Sequence, residues 1–434
     1  MDISVGFWLL CLFLVMIAFS IPIAIAIAMS SLVIMCTIMP LDVAFMTAGQ
    51  KIITGIDSFS LLAIPFFILA GNIMNRGGIA TRLVEFAKLL VGRMPGALAH
   101  VNVIANMLFG SVSGSAVAAA AAVGKTLEPE LEKEGYDRAF STAVNVASCP
   151  AGLLIPPSNS LIVFSVVSGG TSIAALFIAG YVPGILMGLS CMVVAYFIAK
   201  KKGYHSIAAR VTAKQALVTT WRAIPSLGLV VVVIGGIIGG VFTATEGACI
   251  AVLYAFFLSL AYRSLSWQDM RTVSIETAEI TGIMLFLIGA STIMSWAMAF
   301  TGLPTLISEW MLSISDNPVI IFILMNLILL VVGMFMDLTP AVLIFTPIFM
   351  PIATQLGMHP IHFAMMIIFN LCIGIATPPV GTALFVGCSV SGAKIEQVIR
   401  ALLPFCAVLM LTLLAITFIP DISLALPRAF GLIE

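Results

Sequence analysis

Apolar runs of about 20 residues, the length that crosses a bilayer core, recur along this chain and are interrupted at matched places. Residues 5–37 are too long for one crossing, and Ser20-Ile21-Pro22 divides them into two short spans; a third covers 57–75. The segment RLVEFAKLL at 82–90 mixes charged and apolar positions at helical spacing, which predicts a helix lying along the interface. Apolar segments at 98–128, 138–168 and 173–199 complete the first half. The second half repeats the order: spans at 223–241, 244–262 and 275–299, an amphipathic stretch at 303–315, then 318–356, 361–391 and 396–420.

The interruptions are repeated too. Pro156-Pro157 in SCPAGLLIPPSNSLIVF and Pro378-Pro379 in CIGIATPPVGTALFV lie 222 residues apart. Upstream, Asn106 answers to Asn326, Gly78-Ile79 to Gly302-Leu303, and Phe19 to Phe242. Segments 98–128 and 318–356 are split near their middles by GSVSGS (110–115) and GMFMDLTP (333–340), so both read as re-entrant hairpins. Segments 138–168 and 361–391 read as helices broken at Pro-Pro. Each half then crosses five times, and an odd number turns the second half upside down. The expected fold is an all-α polytopic membrane protein of two inverted repeats, 1–199 and 223–434, joined by a connector at 200–222.

Charge orients it. Every one of the 19 Lys and Arg except Lys51 and Arg428 falls on one side if both termini face the periplasm, as the positive-inside rule requires. Composition agrees: 61% of residues are hydrophobic and 9% charged, more apolar surface than a soluble core can hide. A net charge of zero argues against nucleic acid as a partner. The eight cysteines lie in apolar segments without CxxC spacing and read as core residues. MDISVGFW lacks the basic stretch of a cleaved signal peptide, and Asp2 suits an external N-terminus.

Open backbone at membrane depth is tolerated only where protein covers it or it lines a polar cavity. A proline supplies no N–H and drives its predecessor out of helical geometry, so carbonyls before it lose their partners. Such half-helix ends suit a hard cation such as Na⁺. The first candidate cation set is Gly152, Ile155 and Pro156 with Ser111, Ser113 and Gly114 of the hairpin; the second is Gly374, Thr377 and Val380 with Gly333 and Asp337. Beyond each break a new helix starts, and its free N–H groups favour a carboxylate. Ser158, Asn159 and Thr382 at these starts, with Ser115 and Thr339 of the hairpin turns, are candidate substrate contacts, and the Ser115 hydroxyl could also complete the first cation shell. Asp337, Glu246 and Glu279 are ionisable residues within spans and functional candidates by position, Glu246 doubling as a helix-start residue and Glu279 as an interfacial one. Gly235/Gly239 and Gly236/Gly240 have the spacing of close helix packing. His359 and His362 lack further ligands, and Gly124-Lys125-Thr126 lacks the first glycine and the strand of a phosphate loop.

The strings FGSVSGSAVAAAAAVG, LLIPPSNSLIVFSVVSGGTSIAALFIAGYVPG, GMFMDLTPAVLIFTPIFMPIA and ATPPVGTALFVGCSVSG resemble the large membrane subunit of tripartite ATP-independent periplasmic (TRAP) transporters. The resemblance covers essentially the whole chain. It implies an inner-membrane secondary transporter for organic acids, C4-dicarboxylates and sialic acid among them, driven by Na⁺ and using an elevator motion. It also implies two partners, a periplasmic substrate-binding protein and a small four-helix membrane subunit; that subunit is expected as a separate chain, because this one opens on the large-subunit pattern. The serine-rich hairpin and PPSNSLIVF are most similar to the sialic-acid members. A channel built from the same hairpins, a stand-alone carboxylate symporter and a non-transporting membrane subunit remain open alternatives.

Overall fold

The computed structural model describes residues 3–91, 94–204, 213–315 and 317–433. Asp2, Arg93, Arg210 and residues 205–212 of the connector lie outside the described residues. Among those described there are helices and no strands, and eight helices are long and apolar enough to cross a membrane, or nine if the bent pair at the first break is one span.

Both hairpins form where glycine and polar residues interrupt the apolar runs. The first consists of Ala97–Ser113 and Ala116–Lys133, turning at Gly114, whose φ of 63° is left-handed. The second consists of Pro318–Phe335 and Leu338–Gln355, turning at Met336 and Asp337 in extended geometry. The first broken helix runs Arg138–Ser148, Ala151–Leu154 and, after a 51° bend, Asn159–Val167. Ile155, ahead of Pro156, is extended at ψ 124°, as its position requires. The second runs Pro360–Ala376 and resumes at Thr382–Ser391. Both Pro-Pro bonds are cis.

The inverted relation of the halves can be read from contacts. Thr142, early in the first broken helix, donates to Ser391 at the end of the second at 2.7 Å. Phe164, late in the first, packs on Phe363 near the start of the second, with ring centres 6.2 Å apart. The two broken helices therefore pass each other antiparallel. Between these contacts along the broken helices, Cys372 Sγ lies 3.7 Å from the Pro150 carbonyl. On the following helices, Ile173–Lys202 and Ile395–Phe418, Ser190 and Thr412 share a hydrogen bond of 2.7 Å. Each pair spans the repeat offset of 222 residues, so residues touch their own counterparts. Only residues on a two-fold axis do this.

Each hairpin reaches its broken helix through a glycine pair. A Cβ on Gly374 would lie 2.6 Å from the Gly333 Cα, and one on Gly110 would lie 2.8 Å from the Gly152 Cα. Asparagines lock these crossings. Asn106 Nδ2 reaches Asn145 Oδ1 and Ser148 Oγ, each at 2.9 Å, and Asn370 Nδ2 reaches the Asn326 carbonyl at 2.8 Å.

Outside this body, Ala63–Arg76 packs on the long helix Trp267–Phe300 through Asn72 to Thr277 at 3.0 Å and Arg76 to Glu276 at 2.6 Å. At 34 residues, about 50 Å, the long helix exceeds the bilayer core and carries this ion pair near its N-terminal end. The amphipathic stretches form helices Ile79–Val91 and Leu303–Ile314, each preceded by a left-handed glycine, Gly78 and Gly302. Helices at Leu41–Ile56 and Asp421–Ala429 add to the expected set.

One expectation changes, and the helix-start reading of Glu246 is met. Gly235 has nothing within 4 Å and Gly239 faces its own helix, while the Phe242 ring occupies the space beside Gly236. These glycines end a helix and admit an aromatic ring, and among the described residues no second helix crosses at the paired spacing. Glu246 caps its helix through the Thr243 backbone and hydroxyl, and it is exposed; Glu279 is exposed as well.

The glycine crossings give the first prediction. Gly374→Ala forces backbone against backbone and should destabilise by about 1–3 kcal/mol, the usual range for overpacking. Gly235→Ala, in open space within a helix, should leave stability unchanged or raised. Thermal unfolding of both variants in detergent checks the contrast.

Candidate substrate and ion site

A cavity of about 260 Å³ lies where the two hairpin turns, the first break and the two outer helices meet. Ser113, Gly114 and Ser115 come from the first turn, Asp337 and Thr339 from the second, and Asn159 and Ser160 from the restart after the first break. Asn72 and Asn75 face them from Ala63–Arg76, and Ile280 and Met284 from the long helix. Three helices begin at this cavity, at Ala116, Asn159 and Leu338. Their N-terminal ends bring unpaired N–H groups and partial positive charge, which favour an anion.

Local bonding sorts the hydroxyls. Ser111 donates to the Leu108 carbonyl of its own helix at 2.9 Å and leaves the cavity wall to Ser113. Ser115 accepts from Ala118 N at 3.2 Å, capping its helix. Ser113 holds only long contacts, 3.4 Å to the Ser115 carbonyl and 3.5 Å from Ser115 N, so its oxygen is available. Asn159 Oδ1 is buried without a partner. Buried polar atoms are almost always paired, so this orphan oxygen beside the first turn marks a place for a donor or a cation. Gly114 admits it, since a Cβ there would sit 3.0 Å from Asn159 Nδ2.

Of the residues singled out from the sequence, Ser113, Gly114, Ser115, Asn159, Asp337 and Thr339 line this one cavity. The others lie away from it. Ser158 is buried and donates to the Leu153 carbonyl, closing its own break. Gly152 packs on Gly110 and Gly333 on Gly374; Ile155 and Pro156 form the first break. At the second break, Thr377 donates to the Ile373 carbonyl at 2.6 Å, Val380 is exposed, and Gly381 N donates to the Met334 carbonyl at 3.4 Å. The Thr382 hydroxyl is buried there without a partner, another orphan at the start of a half-helix.

The cavity's charge is one-sided. Asp337 stands at the start of its helix with no side-chain cap bond, and among the described residues no basic side chain lines the cavity with it. No group of three or more His, Cys, Asp or Glu that could hold a metal occurs among the described residues, so a cation here would draw mostly on neutral oxygens. Asn72 and Asn75 were missed by sequence reasoning. Two amides one helical turn apart in an otherwise apolar span, IPFFILAGNIMNR, were the available signal.

A second cavity of about 410 Å³ lies further along the same helices. Ser165 contributes from the Asn159–Val167 helix, and Ser291, Thr292 and Ser295 from the long helix, with Thr54, Ser58 and Ser60 opposite. About 10 Å of helix separates Met284 in the first cavity from Ser291 in the second, and about 9 Å separates Asn159 from Ser165.

Residues 10–422 match the family described as "Tripartite ATP-independent periplasmic transporter, DctM component". The uncharacterized protein YgiK of Salmonella typhimurium is 52% identical over 419 residues, 96% of each chain. The sialic acid TRAP transporter large permease protein SiaM of Vibrio cholerae is 39% identical over 384 residues, 88% of this chain and 90% of that one. The C4-dicarboxylate TRAP transporter large permease protein DctM of Pseudomonas aeruginosa is 38% identical over 377 residues, 87% and 88% of the two chains. Among solved structures, the Alcanivorax borkumensis YdaH transporter superposes with a TM-score of 0.64 at 13% identity, covering 90% of this chain and 89% of that one, a likeness of fold alone.

Asn159 and Asn106 should behave oppositely on substitution. Asn106→Ala strips a network of buried bonds and should cost about 2–3 kcal/mol, several contacts at about 1 kcal/mol each. Asn159→Ala removes an oxygen with no protein partner and should change thermal unfolding of the ligand-free chain little, by about 0.5 kcal/mol. A large loss at Asn159 would make it a structural residue.

Proposed function

Because the chain belongs to the tripartite ATP-independent periplasmic transporter family as its DctM component, we propose that it is the large membrane subunit of a Na⁺-coupled importer of an organic acid. One observation carries the coupling. The cavity offers three helix N-termini to a carboxylate, yet its one ionisable side chain is Asp337, which with a cation beside it would stand as a carboxylate. Two like charges a few ångströms apart in a shielded cavity repel by several kcal/mol. A cation bound between hairpin and break offsets that repulsion, so acid and cation bind together or weakly. Ser113 Oγ, the Ser115 carbonyl and the orphan Asn159 Oδ1 are oxygens suited to Na⁺. The opposite half would bind a second Na⁺ near Gly333, Gly374, Thr377 and Val380.

Two cavities on shared helices support an elevator motion. The hairpins and broken helices, locked by Asn106 and Asn370, form the moving body; Ala63–Arg76 and the long helix form the fixed wall. A slide of about 10 Å along the long helix would carry the Asp337–Thr339 turn from the level of Met284 to the level of Ser291. Gly71 helps it pass, since a Cβ there would meet the Ser113 carbonyl at 2.9 Å. With the Lys and Arg side inside, the second cavity faces the periplasm, where a binding protein would deliver substrate. A small membrane subunit would widen the fixed wall. The substrate belongs to the sialic-acid or C4-dicarboxylate class, with Ser115 and Thr339 contacting it directly.

The test is uptake into liposomes by the chain with its two partners, titrated with Na⁺. Asp337→Asn should raise the Na⁺ concentration for half-maximal uptake or abolish uptake, with assembly intact. Ser113→Ala should be milder, a few-fold, as one neutral contact of about 1 kcal/mol is lost. Normal transport with unchanged Na⁺ dependence in both variants would place the ion elsewhere.

A further inference from the structure

Away from the transport path, a cavity of about 570 Å³ opens where the amphipathic arm Ile79–Val91 meets the helices Ala213–Ile238 and Ala244–Ala261. Its lining is Gly78, Thr81, Arg82, Glu85, Arg222 and Tyr262. Arg82 is fixed from two directions. Its Nη1 donates to the Gly78 carbonyl at 3.0 Å, and its guanidinium lies 3.6 Å from the centre of the Tyr262 ring. The Tyr262 hydroxyl in turn donates to the Arg222 carbonyl at 3.4 Å. Three elements are thus tied around one space.

Neither Arg82 nor Arg222 forms an ion pair among the described residues, although Glu85 shares the cavity. Two guanidinium groups held at one cavity repel unless an anion joins them, and their planar forks suit phosphate oxygens. Counting Glu85, the cavity carries one net positive charge. That balances a phosphodiester, which carries one negative charge at any pH near neutral. Inorganic phosphate at neutral pH is a mixture of singly and doubly charged forms and offers no acyl chains to the apolar surroundings. The surroundings point the same way. Leu217 and Trp221, on the helix that carries Arg222, are 70% and 73% exposed, and Trp267, five residues after Tyr262, is 89% exposed, side chains of the kind that sit at a membrane–water boundary.

We propose that this cavity binds a phospholipid, its phosphate held between Arg82 and Arg222 with Thr81 donating a further hydrogen bond. The far half of the same arm holds the first hairpin through Lys88 to Glu130 at 2.7 Å. A lipid at Arg82 therefore steadies the arm that connects the fixed wall to the hairpin. This site is independent of the ion and substrate reading above.

The test uses the delipidated full chain in detergent, with phosphatidylglycerol or inorganic phosphate added at matched concentration. Lipid retention is read by native mass spectrometry and lipid affinity from the thermal shift. The lipid should raise the melting temperature and inorganic phosphate should not. Arg82→Gln and Arg222→Gln should each weaken lipid affinity about fivefold, the worth of one Arg at an anionic lipid surface. Should Arg82→Gln misfold, Arg222→Gln carries the test, because it alters an exposed side chain. Three results would overturn the proposal: unchanged lipid affinity in the variants, an equal shift from inorganic phosphate, or protection of both arginines from phenylglyoxal by the small subunit without lipid. The last would make the cavity a protein interface.

Discussion

Backbone groups freed at a helix break cannot be left to lipid, and the rest of this fold is arranged around that constraint. Each Pro-Pro break is covered by a hairpin from its own repeat, and the cover fits because glycine meets glycine, Gly110 on Gly152 and Gly333 on Gly374. A side chain at any of the four would lift the hairpin from the break. The asparagine bridges one or two turns away fix the hairpins' rotation and so decide which hydroxyls face the cavity. Packing, polar satisfaction and site geometry are one arrangement here.

That arrangement explains what the sequence made legible. Proline, glycine and charge leave marks that do not depend on tertiary context, so the hairpins, the breaks, the repeat and the two amphipathic helices could be placed beforehand. Facing could not. Ser111 and Ser113 are equivalent in sequence, yet one bonds to its own helix and the other lines the cavity. Ser158 and Asn159 are neighbours, and only the second reaches the cavity, because Ser158 closes the break behind it. The glycines at 235–240 match a packing motif by spacing, but a ring from the following turn takes up the space beside Gly236. Leu41–Ile56 and Asp421–Ala429 escaped notice because short, mixed segments carry little periodic signal.

Function follows from how the repeat places its ends. An inverted repeat brings two hairpin turns to one mid-depth locus from opposite directions, so helix N-termini and orphan oxygens converge where neither half alone could build a site. In the function proposed above, an ionised Asp337 at that locus would make an anion unwelcome without a cation, and that would be the physical content of coupling. The outer helices offer two polar stations, asparagines at one level and serine and threonine hydroxyls at the other, with Leu285, Phe286 and Leu287 between them on the long helix. Polar stations with apolar positions between them suit a substrate that travels with its binding site and does not diffuse past it.

The central claim is that the hairpin body slides along the long helix. Cysteines at Thr339 and Ser291, introduced after replacing the eight native ones, test it most directly. The account predicts that this pair cross-links in part of the population and that oxidation arrests uptake, although the two residues line different cavities in the conformation described. If only a Thr339–Met284 pair ever forms, while the Thr339–Ser291 protein transports as fast when oxidised as when kept reduced, the body does not move as claimed.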